Sequence, residues 1–321
     1  MSKKPILKDR IIQRVLNFPV VCHVIALSKK ITVPGFSHIP IYYVFAFFIK
    51  GLFKGYLSQR AAALSFTFFL ALFPLIISFF TLIPYVPIAN FQTTLLSTLS
   101  EFIPQATWDV IGPIITDIIS RQRGSLLSIS FISALYLSSN GIMAISTAFN
   151  NSYHEIDTRK PFKQRIMSLL LLVIISLLLV TAIGLIIGGK ILTGYLVQKE
   201  LLQRGFALNS LIFGKWVIVM ALIFLAISFI YFLAPANKKY YKFISAGSTL
   251  ATLMVLLLMV GFDAYVSNFT HYNVLYGSIG TLIAMLIFLY FMSIVLLIGF
   301  ELNVSIYQAR KSYIKDEILE D

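Results

Sequence analysis

Long apolar runs separated by short polar segments dominate the chain from about residue 60 onward. Each run is long enough for an α-helix to cross the ~30 Å hydrocarbon core of a bilayer. The runs lie at about 61–84, 126–149, 166–189, 212–234, 244–267 and 278–300. This pattern predicts an all-α, polytopic membrane protein with six transmembrane helices.

The segments outside the spans differ from one another in charge and periodicity. Residues 1–40 are basic and broken by prolines, residues 41–307 hold the membrane domain, and residues 308–321 form a charged tail. A loop at 85–125 separates the first two spans. Its pieces Phe91–Ile103 and Thr107–Ser120 repeat apolar residues every three or four positions, which predicts short amphipathic helices.

The segment before the first span is apolar but too short to cross a membrane. It has only nine residues, Ile41 to Ile49, before Lys50. Lys50 and Lys54 lie four residues apart and therefore share one face of a helix. We expect an amphipathic helix that either lies on an anionic membrane surface, with both lysines contacting lipid, or packs on the helix bundle.

Composition and charge indicate the class of protein and the orientation of its spans in the membrane. Only 12% of the residues are charged and the mean hydropathy is +0.87, whereas soluble domains are about 25% charged. Six spans place most of the lysines and arginines on the side of both termini, and positive loops are typically cytoplasmic. The single cysteine, Cys22, excludes an intramolecular disulfide and a cysteine-based metal cluster.

Two carboxylates lie close to the predicted hydrocarbon layer, where ionisable groups are functional candidates. Glu301 follows the sixth apolar run, at the same predicted depth as Arg60 at the start of the first. We expect these two side chains to form a structural ion pair between the first and sixth spans. Asp263 lies near the outer end of the fifth span. It could take part in a structural pair, or belong to a gate or an ion site.

Small and polar residues interrupt the middle of the second span: Ser138, Ser139, Asn140 and Gly141. On a helix, Asn140 shares one stripe with Ala144, Thr147 and Asn151. One interpretation is a seam for close helix packing. The other is a polar cavity that lines a substrate path, with the helix loosened at Gly141. A kink in the first span at Pro74 would suit a cavity.

Four stretches carry a resemblance to a known family. They read AAALSFTFFLALFPLIISFF, SSNGIMAISTAFNNSYH, GFDAYVSNF and YGSIGTLIAMLIFLYFMSIVLLIGFELN. Over residues 40–310 the chain resembles the YihY/virulence factor BrkB family of bacterial inner-membrane proteins, for which ribonuclease BN is an older name. The resemblance implies a six-span protein of the cell membrane. Transport, of lipids or ions, has been proposed for members of that family.

The older family name can be tested against the residues. Hydrolysis of RNA requires a metal site or a positioned acid–base pair, yet His23, His38 and His154 fall on the opposite side from His271. A site built on His154, Glu155 and Asp157 is the remaining enzymatic alternative. We therefore expect neither an enzyme nor a metal, cofactor or nucleic-acid partner.

The absence of a glycine-rich phosphate loop argues against an ATP-driven pump. The favoured function is transport or lipid handling that does not use ATP, with a neutral or amphipathic substrate passing Asn140 and with Asp263 near an outer gate. A structural or scaffolding membrane protein is the alternative. The sequence leaves the oligomeric state open.

Overall fold

The computed structural model describes most of the chain between residues 27 and 320. The described ranges are 27–29, 31–33, 35–36, 39–85, 91–102, 105–152, 155–156, 159–198, 206–236, 242–268 and 278–320. Most of the predicted N-terminal segment, together with all four histidines and Asp157, lies outside these ranges.

The described residues are helical almost throughout. The helices are α1 (Ile41–Lys54), α2 (Leu57–Leu82), α3 (Phe91–Phe102), α4 (Gln105–Ser120), α5 (Gly124–Asn150), α6 (Pro161–Gln198), α7 (Phe206–Leu233), α8 (Ala246–Asn268) and α9 (Ser278–Glu320). A short 3₁₀ helix, Ile83–Tyr85, extends α2. Two-residue strands β1 (Asn151–Ser152) and β2 (Glu155–Ile156) pair antiparallel between α5 and α6.

Six helices in the described part of the chain are long and apolar enough to cross a membrane, which confirms the predicted all-α, polytopic fold. They are α2, α5, α6, α7, α8 and α9. The last of them continues well past the predicted end of its span near residue 300. It does so because Val304, Ile306 and Ala309 remain buried beyond Glu301, so the helix keeps a packing face there.

Consecutive spans along the chain pack on one another, and the last span also packs on the first. α2 packs on α5, α6 on α7, and α8 on α9, while α9 also contacts α2 and α1. Where α8 meets α9, Gly247 and Gly299 approach so closely that neither position has room for a side chain. Three buried rings meet in the core, with Phe149 stacked on Phe300 at 3.9 Å and Tyr231 edge-on to both.

The outward faces of the spans remain apolar. Ile132, Leu177, Val180 and Leu257 are each more than half exposed on the isolated chain. Such side chains suit contact with lipid tails, which are as apolar as leucine. The bundle therefore presents a hydrocarbon-compatible surface around a packed interior.

Helix α1 lies along α9 at one end of the bundle, which we call the α1 end; the opposite end, which carries α3 and α4, is the loop end. The side chain of Val44 and the backbone at Gly51 are buried against the bundle. On another face, Phe45, Ile49 and Phe53 are exposed. The helix thus packs on the bundle, and its placement on a membrane surface stays a prediction.

Candidate functional site

Helix α5 carries the predicted polar stripe and runs unbroken through Gly141. The stripe is not the face that packs on the bundle: Asn140 and Ala144 are half-buried, and Thr147 is exposed. The packed face lies beside it and holds Ser139, Ile142, Ile145, Ser146 and Phe149. The polar stripe therefore borders the helix core without being sealed within it.

Gly141 provides a close contact between helices in this structure. A β-carbon at this position would lie 3.1 Å from the ring of Phe68, so the glycine lets α2 approach α5 closely. The neighbouring Ser139 is fully buried, and its hydroxyl has no hydrogen-bond partner among the described residues. Ser138 is half-buried on the same turn.

Arg165 of α6 joins the stripe, although it precedes the predicted span at about 166–189. Its Nη1 donates a hydrogen bond of 2.5 Å to Oδ1 of Asn140 and lies 3.3 Å from the sulfur of Met143. The guanidinium also sits 4.6 Å from the centre of the Tyr136 ring, a cation–π contact. Within the described ranges no carboxylate lies at ion-pair distance from it.

The residues of this cluster belong to two candidate membrane spans, Gly124–Asn150 and Pro161–Ile186. At ~1.5 Å per residue, Asn140 is about 15 Å and Tyr136 about 21 Å from the α1 end of α5. Both belong to the candidate span Gly124–Asn150. The sequence contains a partial signal, which indicates that Arg165 lies beside α5 but not which residue it contacts. Arg165 is the last cation before the apolar run of α6, and α6 follows α5 as an antiparallel neighbour.

A second polar cluster joins the α1 ends of α5 and α7. Arg159 donates hydrogen bonds to the carbonyls of Leu233, at 3.0 Å, and of Pro235 and Ala236. Ser146 Oγ donates to the Ala234 carbonyl at 2.5 Å, and Asn150 accepts from the Ala236 amide at 3.0 Å. Burial lowers the pKa of Arg159, but an arginine remains protonated near neutral pH.

The arginine of this second cluster acts as a cap. The last carbonyls of a helix lack partners within the helix and carry partial negative charge. Arg159 satisfies carbonyls at the end of α7 and ties them to the segment that follows α5. Arg159 therefore holds the end of α7 against the segment that follows α5.

Arg60 and Glu301 lie close together in the interior at the α1 end. Nη1 of Arg60 is 3.7 Å from Oε2 of Glu301, whose side chain is 1% exposed. Ser152 Oγ donates to the other carboxylate oxygen at 3.5 Å, and Arg60 also donates to the Gly55 carbonyl at 3.1 Å. The pair connects α2 with α9 and contacts α1 as well.

The other predicted site residues lie apart from the Arg165 cluster. Asp263 is exposed, about 26 Å along α8 from the α1 end, so it is separated in depth from Asn140. Asn151 is exposed in β1, just beyond the end of α5. Helix α2 continues through Pro74. Among the described residues, no three His, Cys, Asp or Glu side chains are grouped closely enough to hold a metal ion.

Comparison with known proteins identifies the relatives of this chain. The family described as virulence factor BrkB matches residues 48–319, which confirms the resemblance seen in the sequence. A protein of Bacillus subtilis (strain 168), named YfkH and described as ribonuclease-like, is 27% identical over 82% of this chain and 96% of its own. A UPF0761 membrane protein of Haemophilus influenzae (strain 86-028NP) is 26% identical over 79% and 91%. No solved structure matches the chain.

Proposed function

The chain belongs to the virulence factor BrkB family, and on that premise we propose that it moves amphipathic molecules, lipids in the first instance, across or within the bacterial inner membrane without ATP. The substrate path follows the outward polar stripe of α5, past Asn140 and Thr147. Both termini lie in the cytoplasm in this proposal, because most of the positive charge falls on that side of the six spans.

One observation carries the proposal. A seam used only for packing would bury its small and polar residues against a neighbouring helix. In α5 the half-buried Asn140 and exposed Thr147 lie outside the packed face. The Thr147 hydroxyl donates to the Met143 carbonyl of its own helix, whereas Asn140 meets a cation from α6 within the span. Polar groups on a lipid-facing surface are costly unless they have a polar ligand or water to contact.

Helix α1 supports contact with lipid in the same proposal. Its exposed residues Phe45, Ile49 and Phe53 recur every four positions and form an apolar face of the kind that enters a membrane interface. We place Lys50 and Lys54 at the level of anionic headgroups, to which each lysine would contribute about 1 kcal/mol of attraction.

The test is lipid movement in liposomes that contain the purified full chain. The liposomes carry a fluorescent phospholipid in both leaflets, and dithionite added outside bleaches only the lipid that reaches the outer leaflet. We expect bleaching beyond the outer-leaflet fraction without ATP, slowed by Asn140→Leu. Ser128→Ala, an exposed serine of the same helix that bonds only its own backbone, is the control.

The opposite result would favour the scaffolding alternative. If folded, reconstituted protein leaves the inner-leaflet lipid protected, transport of lipids is excluded. The polar stripe would then have to serve another membrane protein as a contact surface.

A further inference from the structure

We propose that Arg165, Asn140 and Tyr136 form a binding site for a phosphate group, presented by a lipid headgroup that enters from the bilayer between α5 and α6. This inference rests on the proposed function and deepens it by naming the class of substrate. The three residues form a cluster that the sequence pattern did not bring together.

The charge of Arg165 is the first reason. A cation at membrane depth normally pairs with a carboxylate, as Arg60 pairs with Glu301 in this protein. Arg165 has no such partner within the described ranges, where it contacts a neutral amide, a thioether and an aromatic ring. An anionic ligand would supply the missing negative charge.

The free hydrogen-bond donors are the second reason. In the described structure only Nη1 of Arg165 has hydrogen-bond partners, so Nε and Nη2 are available as a planar fork of donors. Asn140 uses its Oδ1 to accept from Arg165, which leaves its amide NH₂ free to donate. Guanidinium forks bind phosphate oxygens in a bidentate manner, and the amide offers a further donor beside them.

Access from the lipid side is the third reason. Arg165 and Asn140 are half-buried, and the Tyr136 ring that covers the guanidinium is 58% exposed. On α6 the exposed apolar residues Phe162 and Leu169 lie three residues before and four residues after Arg165, on the same face of the helix. A phospholipid would place its phosphate on Arg165 and its acyl chains along these residues, whereas a free phosphate ion would have no use for them.

The test measures lipid selectivity by native mass spectrometry of the purified full chain in detergent, with phosphatidylglycerol and phosphatidylcholine added in equal amounts. We expect a preference for the anionic lipid that falls about tenfold in Arg165→Gln, the loss expected for one charge-assisted contact. Lys163→Gln removes an exposed lysine two residues away on the same helix and should keep the preference.

Two further measurements keep the result interpretable. Arg165→Lys retains the charge without the fork and should give an intermediate preference; it replaces Arg165→Gln if that variant fails to fold. Excess inorganic phosphate should leave the bound phosphatidylglycerol in place. If it displaces the lipid from the wild type, the phosphate site stands, but its source is the free ion.

Equal binding of the two lipids by the wild type, or a preference unchanged by both Arg165 variants, would overturn the inference. Its failure is distinct from failure of the proposed function. Lipid movement that persists without headgroup selectivity would leave transport intact and remove only the phosphate site. Selective binding of phosphatidylglycerol without lipid movement would support the phosphate site and exclude lipid transport.

Discussion

The carboxylate of Glu301 in α9 occupies the space that a side chain at Gly51 in α1 would need. Helix α1 can therefore lie on α9 at this point only because residue 51 has no β-carbon. The same carboxylate faces Arg60 of α2 and Ser152 of β1. One buried acidic group thus contacts three other elements at the α1 end of the bundle.

Replacing Gly51 with alanine should loosen the attachment of α1. The added methyl group must displace α1 or Glu301, and overpacking of this kind costs about 1–3 kcal/mol. We expect a lower apparent midpoint of thermal unfolding for the detergent-solubilised protein, followed by tryptophan fluorescence. Gly184→Ala is the matched control, because no described atom lies within 4 Å of the added carbon there. Equal midpoints for the two variants would contradict the contact.

Replacing one partner of the Arg60–Glu301 pair should destabilise the protein more than expected from the effect of replacing both residues together. Removing one partner leaves a buried charge without compensation, at a cost of about 3–5 kcal/mol. We expect Arg60→Met and Glu301→Gln to lower the unfolding midpoint strongly, and the double variant to lose less than the sum of the two. Additive losses in this double-mutant cycle would show that the two side chains are not coupled.

Much of the fold is readable from hydropathy alone, because a membrane span needs a long apolar run and little else. The apolar runs also predict that Arg60 and Glu301 lie at one depth, and in the structure Nη1 of Arg60 is 3.7 Å from Oε2 of Glu301. The Arg165–Asn140 contact was not readable, since the register of α6 against α5 depends on the connection at 151–160. No pattern along the chain specifies that connection.

The extent of α9 was missed for a different reason. A search for apolar runs stops at Glu301, but the helix continues because one face still packs on α1. The role of Gly51 was missed as well. A glycine between Lys50 and Leu52 gives no local sign that a carboxylate from a distant segment will lie against it.

Removing Arg159, which caps the end of α7 from the segment before α6, should expose the backbone at that helix end. Without Arg159 the carbonyls of Leu233, Pro235 and Ala236 lose a charged donor, and hydrogen bonds to charged groups contribute about 1.5–3 kcal/mol. We expect Arg159→Gln to accelerate hydrogen–deuterium exchange in peptides from the end of α7. Lys160→Gln, at the exposed neighbouring position, should leave exchange unchanged. Unchanged protection in Arg159→Gln would show that the cap is dispensable.

Thiol labelling should distinguish the polar stripe from the packed face of α5. In a Cys22→Ser background, single cysteines replace Asn140 and Thr147 on the stripe and Ile142 on the buried face. If the stripe lines a substrate path, a water-soluble maleimide should modify the first two positions in intact membranes and spare the third. Modification of the stripe only by a lipid-soluble reagent would show that it faces dry hydrocarbon.

The length of α9 has a mechanical consequence. Its 43 residues extend about 65 Å, roughly twice the thickness of the hydrocarbon core, so a large part of the helix lies outside that layer. No hinge separates the charged C-terminal turns from the turns that carry Phe300 and Glu301. A force that moves the outer turns would therefore also move Phe300 and Glu301 at the centre of the bundle.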